Sequence, residues 1–227
     1  MSFVNLEDIT NNEFKPIVRS NLVAAIQSAY ELAVKHYNEF DFLNWSVGRN
    51  IFTEFRGIVT QFAIVKLIDQ KNLGLTYKVS PNSLDNCEHI EILSRKSTLT
   101  ISQVERKGIL PRKAVYRNDL AVTNQVSFDF YNEGINNISR PHRYYFLLTH
   151  GSHDDSSLGP DFIYLGLPKP GVRQWEYRIN LLMEPYLVDL PVVEDIGSAD
   201  NLIDLNEFIK KRLAREEEEK NNGPSQQ

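Results

Sequence analysis

A single cysteine, Cys87, stands among 227 residues, so no intrachain disulfide can form and the fold must be held by burial and hydrogen bonding. Such thiol-poor composition fits a reducing compartment, and a cytoplasmic location is the expectation. Long apolar runs are also lacking. The most apolar stretch, Ile51 to Ile68, is interrupted by Glu54, Arg56, Gln61 and Lys66, whereas a spanning helix needs about 20 mostly apolar residues. The opening residues MSFVNLEDITNNEF are acidic and amide-rich where a signal peptide has a basic and then an apolar region, so neither export nor membrane integration is expected. No G-x-S-x-G, Walker-type glycine loop, G-x-G-x-x-G or Cys-x-x-Cys occurs. The nucleotide-loop, nucleophile-elbow and zinc-finger classes therefore have no support. Positive charge is not in excess: 25 Lys and Arg face 30 Asp and Glu, a net charge of −5. That excludes a protein whose whole surface is a polyanion footprint, while a local basic patch stays open. Part of the negative charge lies in the run Glu216 to Glu219, so the folded body is closer to neutral.

What is present suffices for one substantial core. Hydrophobic residues make up 41% of the chain, including 12 Phe, 10 Tyr and 2 Trp, which is ordinary globular usage in a length that favours one domain. From Pro16 to His36, Leu22, Ile26, Ala29 and Ala33 recur at spacings of three and four, predicting an amphipathic helix with proline in its first turn. From Val47 to Asp69, Ile51, Phe55, Ile58, Phe62 and Val65 form one stripe that Val59, Ala63 and Leu67 widen, predicting a helix covered on more than one side and stopping at Asn72-Leu73-Gly74. The period then shortens. Strands are predicted at Leu75 to Val79, His89 to Leu93 and Leu99 to Val104, the last two as a hairpin, and again at Tyr144 to Leu148, Phe162 to Leu167 and Gln174 to Leu182. The segment Pro111 to Gln125 reads equally as helix or strand. Leu202, Leu205, Ile209 and Leu213 predict a last amphipathic helix. The expected architecture is an α+β domain over residues 1–214, with N-terminal helices packed on a mixed or mostly antiparallel sheet, and a disordered acidic tail over 215–227.

Four sets of residues could carry chemistry. Asp85 is followed 20 residues later by Glu105-Arg106-Lys107, and on an extended strand Glu105 and Lys107 would share a face. Acidic groups of this kind hold Mg2+, with lysine placing the attacking water, and Glu88 or Glu91 could replace Asp85. The order helix, strand, strand, strand, ambiguous segment, strand resembles the core of the restriction-endonuclease-like nucleases. That resemblance implies a magnesium site of Asp85, Glu91 and Glu105 with Lys107 beside it. A turn aspartate and a solvated strand end explain the same residues. In the second set, His150-Gly151-Ser152-His153-Asp154-Asp155 could ligate a transition metal with help from His142 or Asp161, although a turn-rich loop has the same composition. Third, Cys87 and His89 could share a strand face, but acidic neighbours disfavour a thiolate, so Cys87 reads as structural.

The fourth set is locally basic: Arg106, Lys107, Arg112, Lys113 and Arg117, continuing at Arg140, His142, Arg143, Tyr144 and Tyr145. Clustered cations neutralise phosphates and interleaved aromatics stack on unpaired bases; a solvated face or an internal set of salt bridges would use the same residues. The leading expectation is a binding or regulatory protein holding a protein or nucleic-acid partner on Arg106, Arg112, Lys113, Arg117, Arg140, Arg143 and Tyr144. The alternative is a magnesium-dependent nuclease built on Asp85, Glu105 and Lys107.

Overall fold

Proline lacks a backbone N–H and so suits the first turn of a helix, where that donor has no partner. Pro16 begins the longest helix here. A computed structural model describes residues 5–82, 87–124, 143–154 and 157–185. The helices are α1 (Leu6–Glu13), α2 (Pro16–Asn38), α3 (Asp41–Asn44), α4 (Phe52–Gln70) and α5 (Val115–Val122), and a 3-10 turn, Gly48–Ile51, leads into α4. The strands are β1 (Thr76–Pro81), β2 (Glu88–Leu93), β3 (Ser97–Gln103), β4 (Tyr144–Gly151), β5 (Phe162–Pro168) and β6 (Trp175–Asn180). The chain divides into two units, Met1–Val188 and Asp189–Gln227, and every described residue belongs to the first. The expected C-terminal helix and acidic tail lie outside the described residues. Among those described, no helix is long and apolar enough to cross a membrane.

The six strands form one sheet in chain order, β1 to β6. Every neighbouring pair is antiparallel except β3 and β4, which run parallel with Leu99 opposite Phe146 and Gln103 opposite His150. A parallel pair needs a crossover, and α5 lies within it, which resolves the ambiguous segment as a helix. The order α4, β1, β2, β3, α5, β4 is thus the order read from the sequence.

Alternation along β4 assigns its side chains to the two faces. Tyr144, Phe146 and Leu148 join the main core, where Leu22 and Ile26 of α2 and Ile64 and Ile68 of α4 pack against Ile92, Leu99 and Leu165. Tyr145 and Leu147 face the other way, toward Leu110 and Ala121 of the α5 segment. Covered on both faces, β4 and β5 read as continuous apolar runs, and each such buried side chain contributes about 1.5–3 kcal/mol.

Within the helix expected from Val47 to Asp69, Ile51 and Ile58 are exposed and Phe52, Arg56 and Thr60 are buried in their stead, while Ala63, Val65 and Leu67 are buried as expected. Arg56 is accommodated because its guanidinium lies over the rings of Tyr30, at 4.7 Å, and Phe52, at 5.3 Å, where the π faces attract a desolvated cation. Tyr30 hydroxyl also meets His150 Nδ1 at 2.8 Å. At the opposite end of the sheet the Glu13 carboxylate accepts from Ser94 Oγ, Ser97 Oγ and Lys96 N, at 2.5, 2.7 and 2.8 Å, and closes the β2–β3 turn. Burial opposes its ionisation, but these donors outweigh that effect and hold its carboxyl below the usual range.

Candidate functional site

The segment after β3 turns at Gly108, whose φ of +80° favours glycine. Its carbonyl accepts from Trp175 Nε1 at 3.0 Å and Arg178 Nη1 at 2.8 Å, which ties the turn to β6. The chain then runs through Leu110 to Ala114 and enters α5 at Ala114, an N-cap with extended backbone and no side-chain acceptor. Arg117, one turn into the helix, donates to Tyr116 Oη (2.6 Å), Ser102 Oγ (3.3 Å) and the Arg112 carbonyl (2.5 Å). It therefore fixes the Arg112 loop onto the sheet. His89 of β2 stacks on the Tyr116 ring at 3.7 Å, which anchors α5 from its other side. Burial pushes the Tyr116 hydroxyl above its ordinary pKa against the pull of Arg117.

Between this segment and the β5–β6 hairpin lies a small cleft. Arg112, Lys113 and Arg117 reach it from the α5 side, and Lys169 and Arg173 from the hairpin; Asn118 is its neutral amide, and Leu110, Ala121 and Leu147 belong to its wall. No carboxylate lines it among the described residues. Arg173 donates to the Leu110 carbonyl at 2.9 Å across the cleft. Lys169 faces Glu176 at 3.7 Å with both side chains about half exposed, an arrangement worth little in water. Arg112 and Lys113 are exposed, and neither takes part in an ion pair among the described residues. The cations lining the cleft outnumber its carboxylates, none of which is among the described lining residues, so the local potential attracts anions.

Of the expected binding residues, Arg112, Lys113 and Arg117 come together here. Arg106, Arg143 and Tyr144 do not. Arg106 is exposed in the turn before Gly108, and Arg143 donates to the Ser94 carbonyl at 3.3 Å, at the β2–β3 turn. Tyr144 packs into the main core on the opposite face of the sheet from Tyr145. Arg140 and His142 lie outside the described residues. Lys169 and Arg173 were not singled out from the sequence; their signal was a pair of cations bracketing the turn Pro170-Gly171.

The carboxylates expected to hold magnesium are placed differently. Strand β3 ends at Gln103, so Glu105 and Lys107 stand in an exposed turn and strand alternation does not align them. Glu91, on β2, meets Lys78 Nζ at 3.1 Å and His89 Nε2 at 3.5 Å. Asp85 lies outside the described residues. Among those described, no group of three His, Cys, Asp or Glu side chains could hold a metal ion. The second metal set also comes apart. His150 is a fully buried residue of β4, and burial with the nearby Arg56 charge pushes its pKa down to about 3. Asp161 accepts from His153 N at 2.7 Å and Ser152 Oγ at 3.2 Å, which closes the β4–β5 turn; Asp155 lies outside the described residues. Cys87 is exposed and free before β2.

No family model, curated protein or solved structure matches this chain.

Proposed function

We propose that this chain is a binding protein that holds a nucleic acid through its phosphates at the cleft between α5 and the β5–β6 hairpin. One observation carries the reading: five cations from two segments distant in sequence line one cavity without a carboxylate among its described walls. A phosphate is a strong acceptor of charge-assisted hydrogen bonds, and arginine presents a planar fork of donors to it. Arg112 and Lys113, exposed and in no ion pair among the described residues, supply contact, while Arg117 and Arg173 hold the loops that present them. A net charge of −5 fits a confined site, because a local patch steers an anion without coating the surface.

The test is a band shift of the purified protein on mixed single- and double-stranded DNA and RNA, comparing wild type with Arg112→Glu/Lys113→Glu. The expected result is a shift without cleavage that weakens at least tenfold in the variant, on the order of 1.4 kcal/mol. Absence of any shift by wild type at low salt overturns the reading. Run with and without magnesium, the same assay tests the nuclease alternative, which the order α4, β1, β2, β3, α5, β4 favours. Under that alternative, cleavage requires magnesium and is lost in Glu91→Gln or Glu105→Ala.

A further inference from the structure

His89, on β2, touches the helix that borders the cleft. Its ring stacks on that of Tyr116 with centroids 3.7 Å apart and planes at 24°. Tyr116 hydroxyl accepts from Arg117 Nη1 at 2.6 Å, and the same guanidinium donates through Nη2 to the Arg112 carbonyl at 2.5 Å. A line of direct contacts therefore runs from His89 through Tyr116 and Arg117 to the loop that presents Arg112 and Lys113.

The surroundings of His89 suit a neutral ring. A protonated imidazole donates from both nitrogens, yet Nδ1 and Nε2 are both buried without a hydrogen-bond partner among the described residues. Glu91 Oε1 stands 3.5 Å from Nε2, beyond the usual reach of about 2.7–3.2 Å, and Glu91 is already engaged by Lys78 Nζ at 3.1 Å. The Tyr116 ring likewise already lies under a cation, the Arg117 guanidinium at 5.0 Å. The charges facing His89 are thus one carboxylate, Glu91 on its own strand, and two cations, Lys78 on β1 and Arg117 on α5; Tyr116 is its neutral titratable neighbour, with the exposed thiol of Cys87 near that hydroxyl. Burial pushes the His89 pKa below its ordinary 6.5, with Arg117 and Lys78 adding to the effect and Glu91 opposing it.

We propose that His89 is a positioning residue for the cleft: its neutral ring holds α5 and the Arg112 loop in place, and a proton on it releases them and weakens binding. This rests on the nucleic-acid reading and adds its regulation. Docked α5 favours the neutral ring, so docking is full above pH 6.5 and is lost as pH falls below it. Acidification otherwise adds positive charge and strengthens phosphate binding, so the expected trend runs against the general one.

The chain has two tryptophans. Trp45 is exposed, whereas Trp175 donates to the Gly108 carbonyl and packs against the cluster of Leu110 and Ala121, so in a full-length Trp45→Phe background its emission reports the α5 segment. That emission and the anisotropy of a labelled single strand are followed from about pH 7.5 to about pH 5.5, which brackets the ordinary histidine value, with His89 and with His89→Phe, which keeps a flat ring on Tyr116 and takes no proton. The expected result is a several-fold loss of affinity on acidification, matched by a change in Trp175 emission, with both absent in His89→Phe. NMR titration of the His89 ring in the histidine-containing chain gives a readout independent of that variant, and a ring that titrates without the Trp175 change overturns the proposal. Equal pH dependence in both chains, or a Trp175 emission that ignores pH, overturns it too and leaves the nucleic-acid reading standing. A strand bound at no pH, with the His89-dependent Trp175 change present, overturns that reading and leaves the release of α5 by His89 standing.

Discussion

At the scale of single residues, the buried ionisable groups make the sharpest statements. His150 is wholly buried, meets Tyr30 hydroxyl at its Nδ1, and has its pKa pushed down from 6.5 to about 3 by burial first and by Arg56 second. A depressed histidine pKa means the folded state prefers the neutral ring. Its contribution is therefore intact above the unfolded value and is lost as pH falls from 6.5 toward 3, by up to about 1.4 kcal/mol per pH unit. Chemical denaturation of wild type and His150→Gln at pH 7 and pH 5 checks this. The wild type should lose more stability between the two than the variant does, and parallel losses would contradict it. Glu13 works in the same direction over a lower range. Its carboxyl is held down by Ser94, Ser97 and Lys96 against the opposing effect of burial, so its stabilisation is full above the ordinary value of 4.5 and disappears as pH falls below it. Glu13→Ala should cost about 1–3 kcal/mol at neutral pH, the usual cost of unpairing such donors, and less at pH 3.

At the scale of elements, α5 carries two roles that can be separated. It covers the sheet through Ala121 and its preceding Leu110, and its N-terminal approach forms the cleft. Ala114 is a poor N-cap, yet its extended backbone suits a capping side chain. Asp at this position should raise stability by about 0.5–2 kcal/mol, because it satisfies a first-turn N–H and complements the helix dipole. The same carboxylate enters a cleft whose cations are meant for a ligand. Ala114→Asp is thus expected to be more stable and to bind the single strand more weakly, while Ala114→Asn gains the cap and keeps binding. Calorimetry and anisotropy on the two variants separate folding from recognition; equal affinity in both would argue against an electrostatic site.

At the scale of the whole molecule, the strands and the long helices were legible because period-two and period-3.6 patterns are local. The run Tyr144 to Leu148 and the alternation from Trp175 to Asn180 announced β4 and β6 directly. Pairing is not local, so the parallel match of β3 with β4 could not be read, nor could the helical state of Val115–Val122, whose short apolar pattern suits either period. Arg56 stood in the sequence only as a break in an apolar run; its burial rests on Phe52, one turn earlier on the same helix, and on Tyr30 of α2, which only the fold brings beside it. The candidate site was half visible: Arg112, Lys113 and Arg117 form one run in the sequence, but Lys169 and Arg173 join them only because β5 and β6 fold back beside α5. Tyr144 and Arg143 were drawn into the basic set by adjacency in sequence, and strand alternation sends Tyr144 to the other face.

The central claim is that these converging cations neutralise phosphates, and salt dependence measures that directly. Affinity for a labelled single strand would be recorded across a salt series for wild type and for Arg112→Ala/Lys113→Ala. Each phosphate contact contributes about 0.7 to the slope of log affinity against log salt, so removing two cations should flatten it by about 1.4. A wild-type affinity that does not change with salt, or one whose slope is the same in the variant, would contradict the account.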